Sequence, residues 1–195
     1  IGPTAGGKTS LAIELSKKLN GEVISLDSRQ IYKGMEIGTA QPTNEEMQDI
    51  EHHLIGCFHP KTPVSAGKYA EYVYDKVRLI KENGKIPIIC GGAGLYFRAI
   101  KKGIFSESIT DLGIREVLEN AYDNDSNLLF KRLEKIDPKY SKIVHINNKK
   151  RLIRALEIYE TTGNSPSFHF ENQKTNPLGS LDLFTIRLEW NKENL

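Results

Sequence analysis

The sequence predicts an α/β protein built on a parallel sheet, and three observations predict it. Helix and strand signals alternate through the first hundred residues. A glycine-rich turn near Ile1 opens directly into a helix. The hydrophobic strand Ile86 to Cys90 runs into a second glycine-rich turn and a second helix. The 195 residues, 38% hydrophobic and 27% charged, fit one folded domain carrying a small insertion. Apolar runs such as Ile88-Ile89-Cys90 are short, so no segment is expected to span a bilayer. Cys57 and Cys90 supply neither a disulfide framework nor metal-ligand spacing, and both are expected to be buried, reduced thiols of a cytoplasmic protein. With 27 basic and 25 acidic residues the net charge is +2. That balance neither demands nor excludes a nucleic acid, so the distribution of charge decides.

The elements follow in order. Ser10 to Asn20 places Leu11, Leu15 and Leu19 on one stripe, and Gly21 is expected to end that helix. Glu22 to Leu26 is a short strand running into Asp27-Ser28-Arg29-Gln30. Residues 31–65, with scattered Gly, Pro and His, read as loop with one short helix near Thr43–Glu51. From Lys68 to Glu82, Tyr69, Val73, Val77 and Ile80 recur at helical spacing, and Asn83-Gly84 closes the helix. Lys85 to Cys90 is a buried strand, followed by Gly91-Gly92-Ala93-Gly94 and a helix from Leu95.

Residues 105–145 show helical patterns around Ile114–Ala121 and Leu128–Ile136, and no convincing strand. They are predicted as a helical insertion between core segments 1–104 and 146–195. Lys149 to Thr162 is a further helix, stopped by Gly163 and Pro166. Leu183 to Leu188 alternates well enough to be a late strand.

Gly2-Pro3-Thr4-Ala5-Gly6-Gly7-Lys8-Thr9 fits G-x-x-x-x-G-K-[ST] at every fixed position, with a good helix behind it. Such a loop turns backbone N–H groups and a helix N-terminus onto an anion. Lys8 would reach terminal phosphate oxygens and Thr9 would offer a hydroxyl to Mg²⁺. The expected architecture is therefore a P-loop NTPase-like three-layer fold with a parallel sheet plus a helical insertion. The strand that should precede the loop is reduced to Ile1, which reads as a trimmed chain. Phosphoryl-transfer enzymes of this kind usually carry a carboxylate at the end of a hydrophobic strand. Here Ile86 to Cys90 ends in glycines instead. The well-placed carboxylate is Asp27, at the end of the other early strand, where open sheets hold their ligands. Beside a diphosphate cradle Asp27 suits a general base, with a loop-capping aspartate as the alternative.

Four segments together resemble the tRNA dimethylallyltransferases, or tRNA isopentenyltransferases. They are Gly2 to Thr9, Asp27 to Ala40, Gly91 to Tyr96, and Arg151-Leu152-Ile153-Arg154-Ala155-Leu156-Glu157. The resemblance implies transfer of a dimethylallyl group from dimethylallyl diphosphate to N6 of the adenine 3′ to the anticodon, with Mg²⁺ as cofactor and the tRNA anticodon stem-loop as partner. It implies a cytoplasmic monomer without a membrane association. It makes Asp27, Lys8 and Thr9 the catalytic residues and Gly2, Pro3, Thr4, Ala5, Gly6, Gly7, Lys8 and Thr9 the diphosphate cradle. It places tRNA contacts at Asp27, Ser28, Arg29, Gln30, Ala93, Arg115, Lys150, Arg151, Leu152, Ile153 and Arg154. The family usually has Ser where Gly6 stands, Thr where Ala93 stands and Asp where Asn148 stands, and it continues past Leu195 into a helix bearing further arginines.

The chemistry stands on its own terms too. An alkyl diphosphate becomes a good electrophile once its leaving group is neutralised, and a weakly nucleophilic exocyclic amine benefits from a carboxylate that takes its proton. Lys142, Lys149, Lys150, Arg151 and Arg154, with no acidic residue between them, form a plausible phosphate-contacting patch. His52, His53, His59, His145 and His169 lack zinc spacing and read as structural or surface residues. Three other readings stay open: an adenylate dimethylallyltransferase acting on free nucleotides, a small-molecule kinase binding ATP, and a non-catalytic RNA-binding module.

Overall fold

The computed structural model describes residues 1–2, 6–103, 110–172 and 181–189. They fall into two compact units, one of Ile1–Ile104 with Thr175–Leu195 and one of Phe105–Lys174.

The first unit contains α1 (Lys8–Leu19), β1 (Gly21–Leu26), α2 (Asn44–Met47), β2 (His52–His53), α3 (Ala66–Glu82), β3 (Ile86–Gly91) and α4 (Gly94–Lys102). Its sheet is parallel throughout, in the order β2-β1-β3. β1 is the middle strand and every residue of it is buried, as a parallel strand covered on both faces should be. β1 and β3 run in register from Gly21 opposite Ile86 to Leu26 opposite Gly91. Gly91 is required there, because a Cβ would overlap the Leu26 carbonyl. α3 begins at Ser65, whose Oγ accepts from the Lys68 N–H, and it buries Tyr69, Val73, Val77 and Ile80 against Ile24, Leu26 and Ile31.

Several expectations are corrected. α1 buries Ala12, Ile13 and Ser16, while Leu19 is 47% exposed. Leu11, Leu15 and Leu19 face a cavity of about 490 Å³ beside β3 instead. Asn20, at φ 52°, takes the left-handed capping conformation, and Gly21 is already strand. β3 is half-buried, with Ile86 46% exposed, because among the described residues it pairs on the β1 side alone. Leu183–Leu188 is not a strand. Its ladder-like bonds, Ile1 N–H to the Ile186 carbonyl and Leu188 N–H to the Ile1 carbonyl, each 2.8 Å, engage one residue and build no ladder. Cys57 is exposed and Cys90 half-buried, so neither is the fully buried thiol expected. Cys57 lies in a loop that bonds through its backbone to Ile31.

The second unit holds α5 (Leu112–Asn124), α6 (Ser126–Ile136), α7 (Pro138–Ser141), α8 (Lys149–Thr162) and α9 (Pro166–Asn172). Asp111, Asp125, Asp137 and Asn148 cap α5, α6, α7 and α8 by accepting from backbone N–H groups of the first turns. The unit's core joins Leu118, Leu129, Leu133 and Val144 to Leu152, Ile153, Ala155 and Leu156. This moves the expected boundary at 145/146. Segment 146–174 sits with the helices because α8 supplies half of their core. No helix among the described residues is long and apolar enough to cross a membrane.

Candidate active site

Gly7 precedes α1 at φ 71°, a left-handed conformation that costs glycine little, and its carbonyl accepts the Leu11 N–H at 3.1 Å. Lys8 and Thr9 then form the first turn, Lys8 half-buried and Thr9 exposed. No acidic residue stands in that turn, so the helix dipole is left for an anion. Gly6 is buried. The predicted cradle residues Pro3, Thr4 and Ala5 lie outside the described residues.

The C-terminal ends of β1 and β3 bring three segments of the first unit together. The Ala93 N–H donates to the Leu26 carbonyl at 3.2 Å, which draws the turn after β3 onto the residue before Asp27. A Cβ on Gly92 would stand 3.5 Å from the Gly2 carbonyl oxygen, so this turn also lies against the start of the phosphate loop. Burial raises the Cys90 thiol pKa, and the positive charge of Lys8 acts against that rise.

Asp27 Oδ1 accepts from the Arg29 N–H at 2.8 Å and the Gln30 N–H at 3.2 Å. This turn orders the carboxylate with one oxygen. Beneath it, the Tyr69 hydroxyl donates to the Ser25 carbonyl, and the Tyr69 and Tyr96 rings stack at 4.2 Å and 29°. Burial pushes the pKa of both hydroxyls up. Helical spacing gives Tyr69 as a core residue only; its hydrogen bond to the residue 25 carbonyl, close to Asp27, has no periodic signature.

Ser28 and Arg29 are exposed beside Asp27. Gln30 is not free to read a base edge through its amide. Its Nε2 donates to the carbonyls of Ala40 (2.9 Å) and Thr39 (3.3 Å), and its Oε1 accepts from Ser25 Oγ at 3.0 Å. It ties the loop through residues 39–40 to the end of β1. Ala93 caps α4 without a side-chain hydrogen bond.

In the second unit, Lys150 and Arg151 are exposed on the first turn of α8. Lys149 pairs with Asp123 at 2.5 Å. Leu152 and Ile153 are buried in the helical core, where the apolar stripe of an amphipathic helix faces inward. Arg115 and Arg154 meet on buried Glu157, at 2.8 and 2.6 Å. The histidines fit the structural reading where partners are seen: His53 Nε2 bonds Glu22 and His169 Nε2 bonds Thr162. No group of three or more His, Cys, Asp or Glu among the described residues could hold a metal ion.

A helix N-terminus opened by a left-handed glycine, bearing Lys and Thr and set beside the C-terminal ends of a parallel sheet, is the arrangement of an α/β fold of the P-loop kind. The IPP transferase family model matches residues 30–195, and the chain belongs to that family. It is 42% identical to a tRNA dimethylallyltransferase of Bacillus cytotoxicus over 97% of this chain and 60% of that protein. It is 44% identical to one of Acetivibrio thermocellus over 91% and 57%. Among solved structures, it resembles a eukaryotic dimethylallyltransferase acting on tRNA with a TM-score of 0.80 and 31% identity, over 96% of this chain and 46% of that one. It resembles the Staphylococcus epidermidis tRNA delta(2)-isopentenylpyrophosphate transferase with a TM-score of 0.59 and 34% identity, over 100% and 63%. The chain thus spans about 60% of the length of the curated relatives it matches.

Proposed function

We propose that this chain carries the catalytic part of a tRNA dimethylallyltransferase, moving a dimethylallyl group from dimethylallyl diphosphate to N6 of the adenine 3′ to the anticodon. The observation that carries this reading is the convergence at one sheet edge of the ordered Asp27 carboxylate, the Gly91-Gly92 turn and the start of the phosphate loop. Diphosphate is held by backbone N–H groups of the glycine-rich loop, by Lys8 and by the α1 N-terminus. As the N6–C1 bond forms, the C1–O bond to diphosphate breaks, and Asp27 takes the N6 proton and passes it to solvent. Ser28 and Arg29 flank the base, which leaves its stack cheaply in a single-stranded loop. Ala93 offers that base a methyl and backbone where the family usually has a threonine hydroxyl.

Mg²⁺ fits as a hard cation held by the exposed Thr9 hydroxyl together with diphosphate and water oxygens. Bound there, it would neutralise charge on the leaving group. Lys150 and Arg151, exposed and without a salt bridge among the described residues, grip the RNA backbone. The helical unit 105–174 is then the RNA-gripping part, and the protein works as a cytoplasmic monomer.

The test is acceptor choice. Labelled dimethylallyl diphosphate is offered with an unmodified tRNA and with AMP, ADP and ATP in parallel. Label entering the tRNA alone supports the proposal, whereas transfer to free nucleotides, or phosphoryl transfer from ATP without prenylation, contradicts it.

A further inference from the structure

Every polar group of Gln30, whose N–H donates to Asp27, has a partner. Its Oε1 accepts from Ser25 Oγ at 3.0 Å, and its Nε2 donates to the carbonyls of Thr39 (3.3 Å) and Ala40 (2.9 Å). Its own carbonyl accepts from the Gly56 N–H at 2.8 Å and from Gln41 Nε2 at 2.9 Å. Gln41 Nε2 donates a second bond, also of 2.9 Å, to the Tyr32 carbonyl. The two glutamines form a reciprocal clasp. The amide of Gln30 holds the backbone just before Gln41, and the amide of Gln41 holds the backbone at and after Gln30. A primary amide has two N–H donors, and each is spent on one carbonyl. Between the two grips Ala40 stands at φ 48°, a left-handed conformation that a residue with a Cβ keeps only where its surroundings hold it.

The Asp27 carboxylate is tied from within its own turn, because both of its N–H bonds, from Arg29 and Gln30, go to Oδ1. That turn is only as fixed as Gln30, and Gln30 is fixed from outside it. Ser25 holds it to the end of β1, Gly56 holds its carbonyl, and Gln41 spans two carbonyls to close residues 30–32. A general base must meet its proton in a narrow geometry, so ordering the turn before substrate arrives removes an entropic cost from the reaction. We infer that Gln41 is a positioning residue for the transfer reaction: through Gln30 it fixes the turn that aims the Asp27 carboxylate at the amine. The inference rests on the general-base reading of Asp27 above.

Gln41→Met keeps the length of the side chain and removes both donors. Gln41→Lys returns donors without an acceptor, three on one ammonium, at similar reach. Single-turnover transfer from labelled dimethylallyl diphosphate to tRNA is measured for each variant. Diphosphate affinity and hydrogen exchange of the Arg29 and Gln30 amides are followed in parallel. Gln41→Met is expected to lower the transfer rate about tenfold or more, towards the roughly hundredfold that an ångström of misplacement can cost. Affinity for dimethylallyl diphosphate is expected to stay unchanged, because the clasp does not include the phosphate loop. The two amides are expected to exchange faster in Gln41→Met, and Gln41→Lys is expected to restore both rate and exchange. In an Asp27→Asn background Gln41→Met is expected to lower the rate no further, which a general loosening of the fold would not reproduce. If Gln41→Met does not fold, Gln41→Asn carries the test, since it keeps both donors but withdraws them by one methylene. A folded variant that transfers at the wild-type rate while Asp27→Asn is slow overturns the inference alone. So does unchanged amide exchange, or a loss of rate that persists in the Asp27→Asn background. Asp27→Asn turning over as fast as wild type overturns the general-base reading itself, and the inference with it.

Discussion

Replacing Asp27 by Asn separates its turn-ordering hydrogen bonds from the proton-accepting role proposed for it. Asp27 Oδ1 orders the turn by accepting from the Arg29 and Gln30 N–H groups, and the Asn amide oxygen can accept the same two bonds, without the carboxylate's charge. The turn, and with it the placement of Ser28 and Arg29, is expected to persist, with a stability change within about 1 kcal/mol. Asn cannot take the N6 proton. Loss of a general base typically lowers turnover about 10²–10⁴-fold, or roughly 3–5 kcal/mol in the barrier at about 1.4 kcal/mol per decade. Asp27→Ala serves as the companion, because it also leaves two turn N–H groups without their acceptor and is expected to cost roughly 1–2 kcal/mol of stability. Single-turnover transfer from labelled dimethylallyl diphosphate to tRNA, with tRNA affinity measured in parallel, separates the steps. If Asp27→Asn loses tRNA affinity while bound substrate still turns over at the wild-type rate, Asp27 is a binding residue and the assigned base is wrong.

Lys8→Ala is expected to cost about 2–4 kcal/mol of transition-state stabilisation, on the scale of a lost oxyanion donor, and unchanged kcat/KM for dimethylallyl diphosphate would contradict the cradle. Replacing Lys150 and Arg151 together by Ala is expected to weaken all tRNA substrates alike. It should flatten the slope of log affinity against log salt by roughly 1.4, at about 0.7 per phosphate contact, and an unchanged slope in a salt titration would show that these charges only face solvent. Buried Glu22 accepts from Lys85 and His53 at 2.6 Å each, and although burial acts to raise its pKa, these bonds hold it below the ordinary value. A depressed folded pKa contributes stability that is present at neutral pH and lost as pH falls through the folded value. Denaturant midpoints followed from neutral pH to about pH 3 should therefore fall less steeply in Glu22→Gln than in wild type.

What was legible in the sequence was local. α8 spans the residues its pattern predicts, Lys149–Thr162, because an Asn cap at one end and a left-handed Gly163 at the other are properties of neighbouring residues. The buried stripe of α3 could be read for the same reason. The phosphate loop carries its signature in fixed spacing, and Gly7 takes the left-handed backbone that spacing implies. What stayed hidden depends on partners distant in the chain. β2 is two histidines with no periodicity, made a strand only by pairing with Val23 and Ile24. Gln30 looks available in a loop, yet its amide reaches nine and ten residues onward to hold the chain at Thr39 and Ala40. Arg115 reads as a surface arginine until Glu157, 42 residues away, folds beneath it. Leu11, Leu15 and Leu19 show the reverse case: a helix with apolar residues on two faces does not announce which of them meets the sheet.

The most direct test of the central claim is the mass of the anticodon-loop adenosine after the protein is incubated with unmodified tRNA, dimethylallyl diphosphate and Mg²⁺. The adenosine 3′ to the anticodon is expected to gain one dimethylallyl group in place of a hydrogen, with one diphosphate released for each, and Asp27→Asn is expected to suppress both signals together. Diphosphate released without any change in nucleoside mass, or a dimethylallyl group on a different nucleoside, would contradict it.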